Sequence, residues 1–203
     1  MFIDYNNLLA AELNLDIDYS RMSAELLAAQ ANAIPFSYST DDTKETVTAY
    51  SLFLRKSKTE TEYSYRGAKS ADFSSWVWDL DLDIPYTRSV IDTIPFKTLG
   101  TVRIVYFPNI PCMEHTDWDN ATDVSHTLGI SIIPDTANTH CNVWSEKENR
   151  YVSIAGNAML LNDSIRHNVP QGHGTRITMR LFGDIDYTWF DNKINLSKCY
   201  YLN

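Results

Sequence analysis

Beyond Gly100 the chain never offers an uninterrupted stretch long enough for a helix of ordinary length. Short apolar runs at 102–107, 113–117, 127–133, 142–145, 151–154, 158–161, 165–169 and 176–182 are separated by Pro, Gly, Asn and Asp. Those separators supply turn geometry, and runs this short with turns between them read as strands. Eight closely spaced strands without intervening helices bury their apolar faces only against one another. A sandwich, jelly roll or barrel is the expected outcome.

The first half reads differently. Asn6 and Asn7 are placed to cap a short helical turn through Leu8, Leu9 and Leu13. A second helix is expected from Ser20 or Ser23 through Glu25, Leu26, Leu27 and Ala31, ending before Pro35. Alternation then takes over from about Val47 to Leu54, and 62–66 is placed to pair with it. Trp76 and Trp78 form an isolated WVW segment, and 87–94 reads as one short helix stopped by Pro95. No repeat or low-complexity segment appears. The chain of 203 residues suits one domain: 1–99 as helical and mixed support, 100–190 as β core, 191–203 as a tail.

Charge and cysteine usage narrow the partners. The formal net charge is −9, and the one dense basic stretch, Arg55, Lys56 and Lys58, runs into Glu60 and Glu62. A phosphate backbone calls for clustered cations, so nucleic acid is disfavoured. Cys112, Cys141 and Cys199 are odd in number and lack CxxC spacing, which argues against a disulfide framework or a thiolate zinc site. No apolar run approaches membrane-spanning length, and the amino-terminal segment carries acids where a secretory leader carries bases. The expectation is a cytoplasmic protein with no membrane partner.

One histidine has a carboxylate two residues on: His115-Thr116-Asp117. On a strand, residues i and i+2 share a face, so imidazole and carboxylate can reach one ion. Two histidines and a carboxylate cover one face of an octahedral ion and leave three positions open, as non-haem Fe(II) chemistry requires. His167 is the best third ligand. His126 and His140 compete for that place or serve as structural histidines, and His173, between two glycines, is most simply a turn residue. Arg176 follows and opens a strand on which Arg176, Thr178 and Arg180 share one face and Ile177, Met179 and Leu181 the other. An inward arginine is costly unless it meets an anion, and a guanidinium grips a carboxylate through two parallel bonds. The alternatives are an internal Asp partner or an outward orientation.

HTD, followed by GNAMLLNDSIRHNVPQGHGTRITMRLFGD, resembles the 2-oxoglutarate- and Fe(II)-dependent dioxygenases: HxD, a distal His, and an Arg about ten residues later. Within them the chain is most similar to the aspartyl/asparaginyl β-hydroxylase-like group, which includes proline hydroxylases. The segments HTLGISIIPDT and HCNVWSEKENRYVSIAGNAMLLNDSIRHNV carry that likeness, which covers about 102–186. The resemblance implies a double-stranded β-helix, a cupin-like jelly roll with N-terminal helices packed against its major sheet. It implies Fe(II) held by His115, Asp117 and His167, and 2-oxoglutarate held by Arg176 with help from Thr178. His126 is the nearest match to the residue that holds the other end of the cosubstrate, with Thr127 or Ser131 as alternatives, and Tyr106 is expected to line the pocket. O2 is then the co-oxidant, and succinate and CO2 are released. Asp117 marks a hydroxylase, because related halogenases carry a small residue there. The implied substrate is an amino acid, free or peptidyl, with Trp76, Trp78, Trp144, Arg180, Trp118 and Asp119 as candidate contacts. A nucleobase oxygenase of the same superfamily and a non-catalytic cupin-like metal-binding module are the rival readings.

Overall fold

The computed structural model describes residues 3–39, 46–57, 76–107, 111–116, 126–131, 141–170 and 176–201. Strand content dominates. In chain order the longer elements are β1 (Leu8–Leu13), α1 (Tyr19–Ala29), β2 (Ile34–Ser39), β3 (Thr46–Phe53), β4 (Arg55–Ser57), β5 (Trp76–Trp78), α2 (Pro85–Asp92) and β6 (Phe96–Phe107). There follow β7 (Cys112–His115), β8 (His126–Ser131), β9 (Cys141–Ser145), β10 (Arg150–Ile154), β11 (Ala158–Asn162), β12 (His167–Val169), β13 (Arg176–Ile185), α3 (Tyr187–Phe190) and β14 (Ile194–Tyr201).

Among these, eight strands form a large sheet ordered β14-β1-β11-β8-β13-β6-β3-β2, and four form a small sheet ordered β10-β9-β12-β7. From β6 to β13 the chain passes back and forth between the two sheets, with β9 and β10 forming a hairpin within the small one, and the pairs are antiparallel, which is the winding of a double-stranded β-helix. The jelly roll expected from the resemblance is therefore the fold observed.

The large sheet has two apolar faces. Ile104, Tyr106, Leu128, Ile130, Leu160, Ile177, Met179 and Leu181 belong to a core shared with Met22 and Leu26 of α1 and Ile91 of α2. Leu9, Ala10 and Leu161 instead pack with Cys141, Val143, Val152 and Ile154 of the small sheet. The helices thus cover one face of the large sheet and the small sheet covers part of the other.

The helices are fixed by specific contacts. Met22, Leu26 and Ala29 fall at helical spacing on one buried stripe of α1. Asp18 caps that helix by accepting from the Arg21 N–H at 3.0 Å. α2 has Pro85 in its first turn and no side-chain cap of its own. Its exposed N–H groups are met instead by Glu25, whose carboxylate accepts from Tyr86 N at 2.8 Å and Thr87 N at 2.7 Å.

Three expectations change. The segment at 8–13 is not helical: Asp4 caps a single 3-10 turn at Tyr5–Asn7, and the chain then enters β1, between β11 and β14. Leu8, Leu9, Ala10 and Ala11 are all fully buried, because β1 has apolar layers on both faces. The carboxy-terminal tail contains β14, which pairs with β1 at the edge of the large sheet. The WVW segment is not isolated, since β5 pairs with β4. The partner expected at 62–66 lies outside the described residues. No helix among the described residues is long and apolar enough to cross a membrane.

Candidate metal centre

Register places the two histidines. His167 of β12 stands opposite His115 of β7 on one side and Val143 of β9 on the other. Directly opposed residues share a face of the sheet. Val143 is buried in the cluster between the sheets, so both imidazoles belong to that interior. Their ring centroids are 4.4 Å apart at an interplanar angle of 53°. His167 has no solvent exposure.

Each ring is tied by its outer nitrogen. His115 Nδ1 lies 2.7 Å from the Met113 carbonyl oxygen, and His167 Nδ1 lies 2.8 Å from that of Ile165. A carbonyl oxygen only accepts, so Nδ1 carries a proton in both rings and Nε2 is the nitrogen left to meet an ion. That is the arrangement a metal-binding histidine needs, held by the usual outer hydrogen bond. The residues present therefore fit a divalent ion of the first transition row. The turn before β12 explains how the second carbonyl arrives. Ser164 N donates to Asn162 Oδ1 at 3.1 Å and Ile165 N to the Asn162 carbonyl at 3.3 Å, which reverses the chain from β11 and sets Ile165 two residues ahead of His167.

Asp117 lies outside the described residues, as do His140, His173, Trp118 and Asp119. Among the described residues alone no group of three metal-ligating side chains occurs; His115 and His167 supply two.

Across the interior, β13 presents Arg176, Thr178 and Arg180, all half-buried, while Ile177, Met179 and Leu181 are buried against the helices. The Arg176 guanidinium sits 4.7 Å over the Phe107 ring, and Phe107 in turn meets Phe36 edge-on at 6.1 Å. The sheet thus brings a cation, backed by aromatic surface, to the face that looks toward the histidines.

Tyr106 does not share that face. It stands opposite Ile177, is buried in the helix-side core, and donates its hydroxyl to the Leu26 carbonyl at 2.6 Å. The expectation that it lines the pocket is corrected by one residue of phase: Val105 and Phe107 lie on the pocket side. In β8 the backbone register sets Ser131 against Thr178 and His126 against Asn162.

The tryptophans expected near substrate are placed elsewhere. Trp144 meets Tyr151 edge-on at 5.2 Å and lies under the Arg166 guanidinium at 4.8 Å, on the outer face of the small sheet. Trp78 packs on the helix-side core beneath Arg55 and Arg88, and Trp76 is buried on β5, where it pairs with Ser57 of β4. Sequence reasoning passed over Arg103, whose place on the pocket face follows from its register opposite Arg180. Strand alternation through 102–107 was the signal that could have found it.

No protein-family model matches the chain, and no curated protein does. Solved structures do. The chain is similar to a prolyl hydroxylase from Trichoplax adhaerens in complex with a hypoxia inducible factor oxygen degradation domain peptide fragment, at a TM-score of 0.53 and 13% identity over 87% of this chain and 83% of that one. A Pseudomonas putida prolyl-4-hydroxylase matches at a TM-score of 0.49 and 10% identity, over 89% of this chain and 93% of that one. A 2OG-Fe(II) oxygenase family oxidoreductase from Burkholderia pseudomallei matches at 0.44 and 13%, over 79% and 77%. At such identities the Trichoplax likeness speaks to architecture alone, and on it the chain has the double-stranded β-helix fold.

Proposed function

We propose that this chain is an Fe(II)- and 2-oxoglutarate-dependent oxygenase that hydroxylates a C–H bond of an amino acid. One observation carries the reading. Two imidazoles, each held through Nδ1 by a main-chain carbonyl, meet inside a double-stranded β-helix whose facing sheet presents Arg176. His115 and His167, with Asp117, would hold Fe(II), and Arg176 would hold the distal carboxylate of 2-oxoglutarate. Thr178, on the same face, would add a hydrogen bond. His126, Thr127 and Ser131 of β8 are the candidate positions for the other end of the cosubstrate, and Ser131 is the one registered against Thr178.

When bound, the metal and cosubstrate would supply the oxidising power, with O2 consumed and succinate and CO2 released; the protein binds, orients and excludes water. The buried His167 and the apolar cluster of Leu161, Val143 and Ile154 keep that end of the interior dry. A low-dielectric surround strengthens the grip of Arg176 on a carboxylate. The acidic balance of the chain favours an amino-acid substrate over nucleic acid.

Anaerobic addition of Fe(II) and then 2-oxoglutarate should produce the weak visible charge-transfer band of the chelate. His167→Ala should abolish it, and Arg176→Ala should raise the 2-oxoglutarate concentration needed for half-saturation by tenfold or more. A wild-type protein that binds Fe(II) but forms no such band would overturn the assignment.

A further inference from the structure

The strand that carries His115 is held to its sheet by little main-chain pairing. β7 has four residues, lies at one edge of the small sheet and pairs, among the described residues, with β12 alone. Its ladder registers His115 against His167 and Cys112 against Val169, with a bulge between the two pairs. A short edge strand with an irregular ladder specifies its register weakly, and a slip of one residue reverses which side chains face the interior. In β7 that slip turns His115 outward and brings Glu114 in. The hydrogen bond between His115 Nδ1 and the Met113 carbonyl does not oppose it, because both groups belong to β7 and move together.

Side chains on the outer face of the sheet do oppose it. Glu114 is exposed there, and its carboxylate engages two partners. Oε1 lies 3.5 Å from Arg166 Nη1, and Oε2 accepts from the Tyr151 hydroxyl. Arg166 directly precedes β12, and its carbonyl accepts from Trp144 N of β9 at 2.9 Å. Its guanidinium carbon lies 4.8 Å from the Trp144 ring centre, and Trp144 meets Tyr151 edge-on at 5.2 Å. Tyr151 stands on β10, the opposite edge of the sheet. Three strand spacings put β10 about 14 Å from β7, a span that one Tyr and one Glu side chain close over the backs of β9 and β12. An exposed ion pair alone contributes little. Here one carboxylate fastens the edge strand to both β10 and the residue before β12, and Glu114 outward means His115 inward. The slipped register would also carry that carboxylate toward the apolar cluster around Val143, at the cost of burying a charge.

We propose that Glu114 is a positioning residue for the metal centre: held by Arg166 and Tyr151, it fixes the register of β7 and keeps His115 facing His167. That His115 takes a metal rests on the oxygenase reading above.

The test uses the full chain with Co(II) as probe, its affinity read by calorimetry and its coordination by the visible ligand-field bands. Amide hydrogen exchange of the metal-free chain is read in parallel, and urea midpoints report global stability. Glu114→Ala removes both outer contacts, Glu114→Gln keeps an acceptor for the Tyr151 hydroxyl, and Tyr151→Phe removes only that hydroxyl. Glu114→Ala and Tyr151→Phe should each weaken Co(II) binding by about fivefold or more, short of the roughly tenfold to hundredfold that follows loss of a ligand's own outer hydrogen bond. Glu114→Gln should weaken it less than Glu114→Ala. Because the two residues share one contact, adding Tyr151→Phe to Glu114→Ala should cost little more. In the metal-free chain the β7 amides should exchange about fivefold faster or more in both single variants, with those of β13 and the urea midpoint near the wild-type values. If Glu114→Ala fails to fold, Tyr151→Phe decides. Variants with wild-type Co(II) affinity and β7 exchange, or with affinity lost only in step with global stability, would overturn the proposal. A wild type that binds no Co(II) counts against the oxygenase reading instead, and the exchange contrast on the metal-free chain then decides alone whether Glu114 sets the register.

Discussion

At the scale of single residues, phase along a strand decides what a side chain can do. Val105, Tyr106 and Phe107 are neighbours in β6, yet only Tyr106 faces the helices, where its hydroxyl donates to Leu26 O at 2.6 Å. Burial pushes its ionisation well above the usual tyrosine range. Tyr106→Phe removes a donor and leaves a buried carbonyl without it, a loss of about 1–3 kcal/mol. Urea unfolding should show that loss, while the 2-oxoglutarate half-saturation of the chelate band stays at the wild-type value. A raised half-saturation with unchanged stability would return Tyr106 to the pocket. The shared face of Arg176, Thr178 and Arg180, opposite Ile177, Met179 and Leu181, was legible because a period-two pattern fixes relative phase within one strand. Tyr106 was misplaced because its phase depends on register between β6 and β13, and a shift of one residue exchanges the faces.

Among elements, helix positions were easier to read than the buried edge of the sheet. α1 was expected from Ser20 or Ser23 through Leu26 to Ala31, and it is observed at Tyr19–Ala29 with Asp18 as its cap in place of a serine. β1 did not, since a strand covered on both faces reads as a continuous apolar run, and Leu8–Leu13 can be wound or extended with equal ease. β14 was invisible for a related reason: its place follows from the bare edge of β1, which no local pattern records. The α1–α2 joint was equally hidden, because Glu25 caps a helix sixty-one positions downstream at Tyr86. A carboxylate accepting two main-chain N–H groups at a helix start combines hydrogen bonding with the favourable end of the helix dipole. Glu25→Ala leaves both N–H groups without that acceptor and should cost about 2–4 kcal/mol. Glu25→Gln retains one acceptor oxygen and should cost less. Denaturant midpoints of the two variants check the order, and equal midpoints for wild type and Glu25→Ala would show that the joint is held by apolar contact alone.

For the whole molecule, the large sheet is a partition between two apolar interiors, and the helix-side one is rimmed by tyrosines. Tyr19 and Tyr187 pack against that core and are pushed up to about 12, in each case chiefly by burial. Tyr5 is driven higher still by burial and by its hydrogen bond to Asp191, which ties the amino-terminal turn to α3. An acid whose folded pKa lies above its unfolded value near 10 keeps its proton longer in the native state. Between the two values the unfolded chain has released protons that the folded chain still holds, so stability falls as pH rises. The contribution is complete below pH 10 and is lost through pH 12. Ultraviolet difference titration of the folded protein should show a group of tyrosines resisting ionisation until the chain unfolds. Tyr19→Phe should remove one member of that group and flatten the alkaline decline in the urea midpoint. All tyrosines ionising together in the native protein, with a midpoint unchanged up to pH 11, would mean that water reaches the helix-side interior and that the partition is looser than its packing implies.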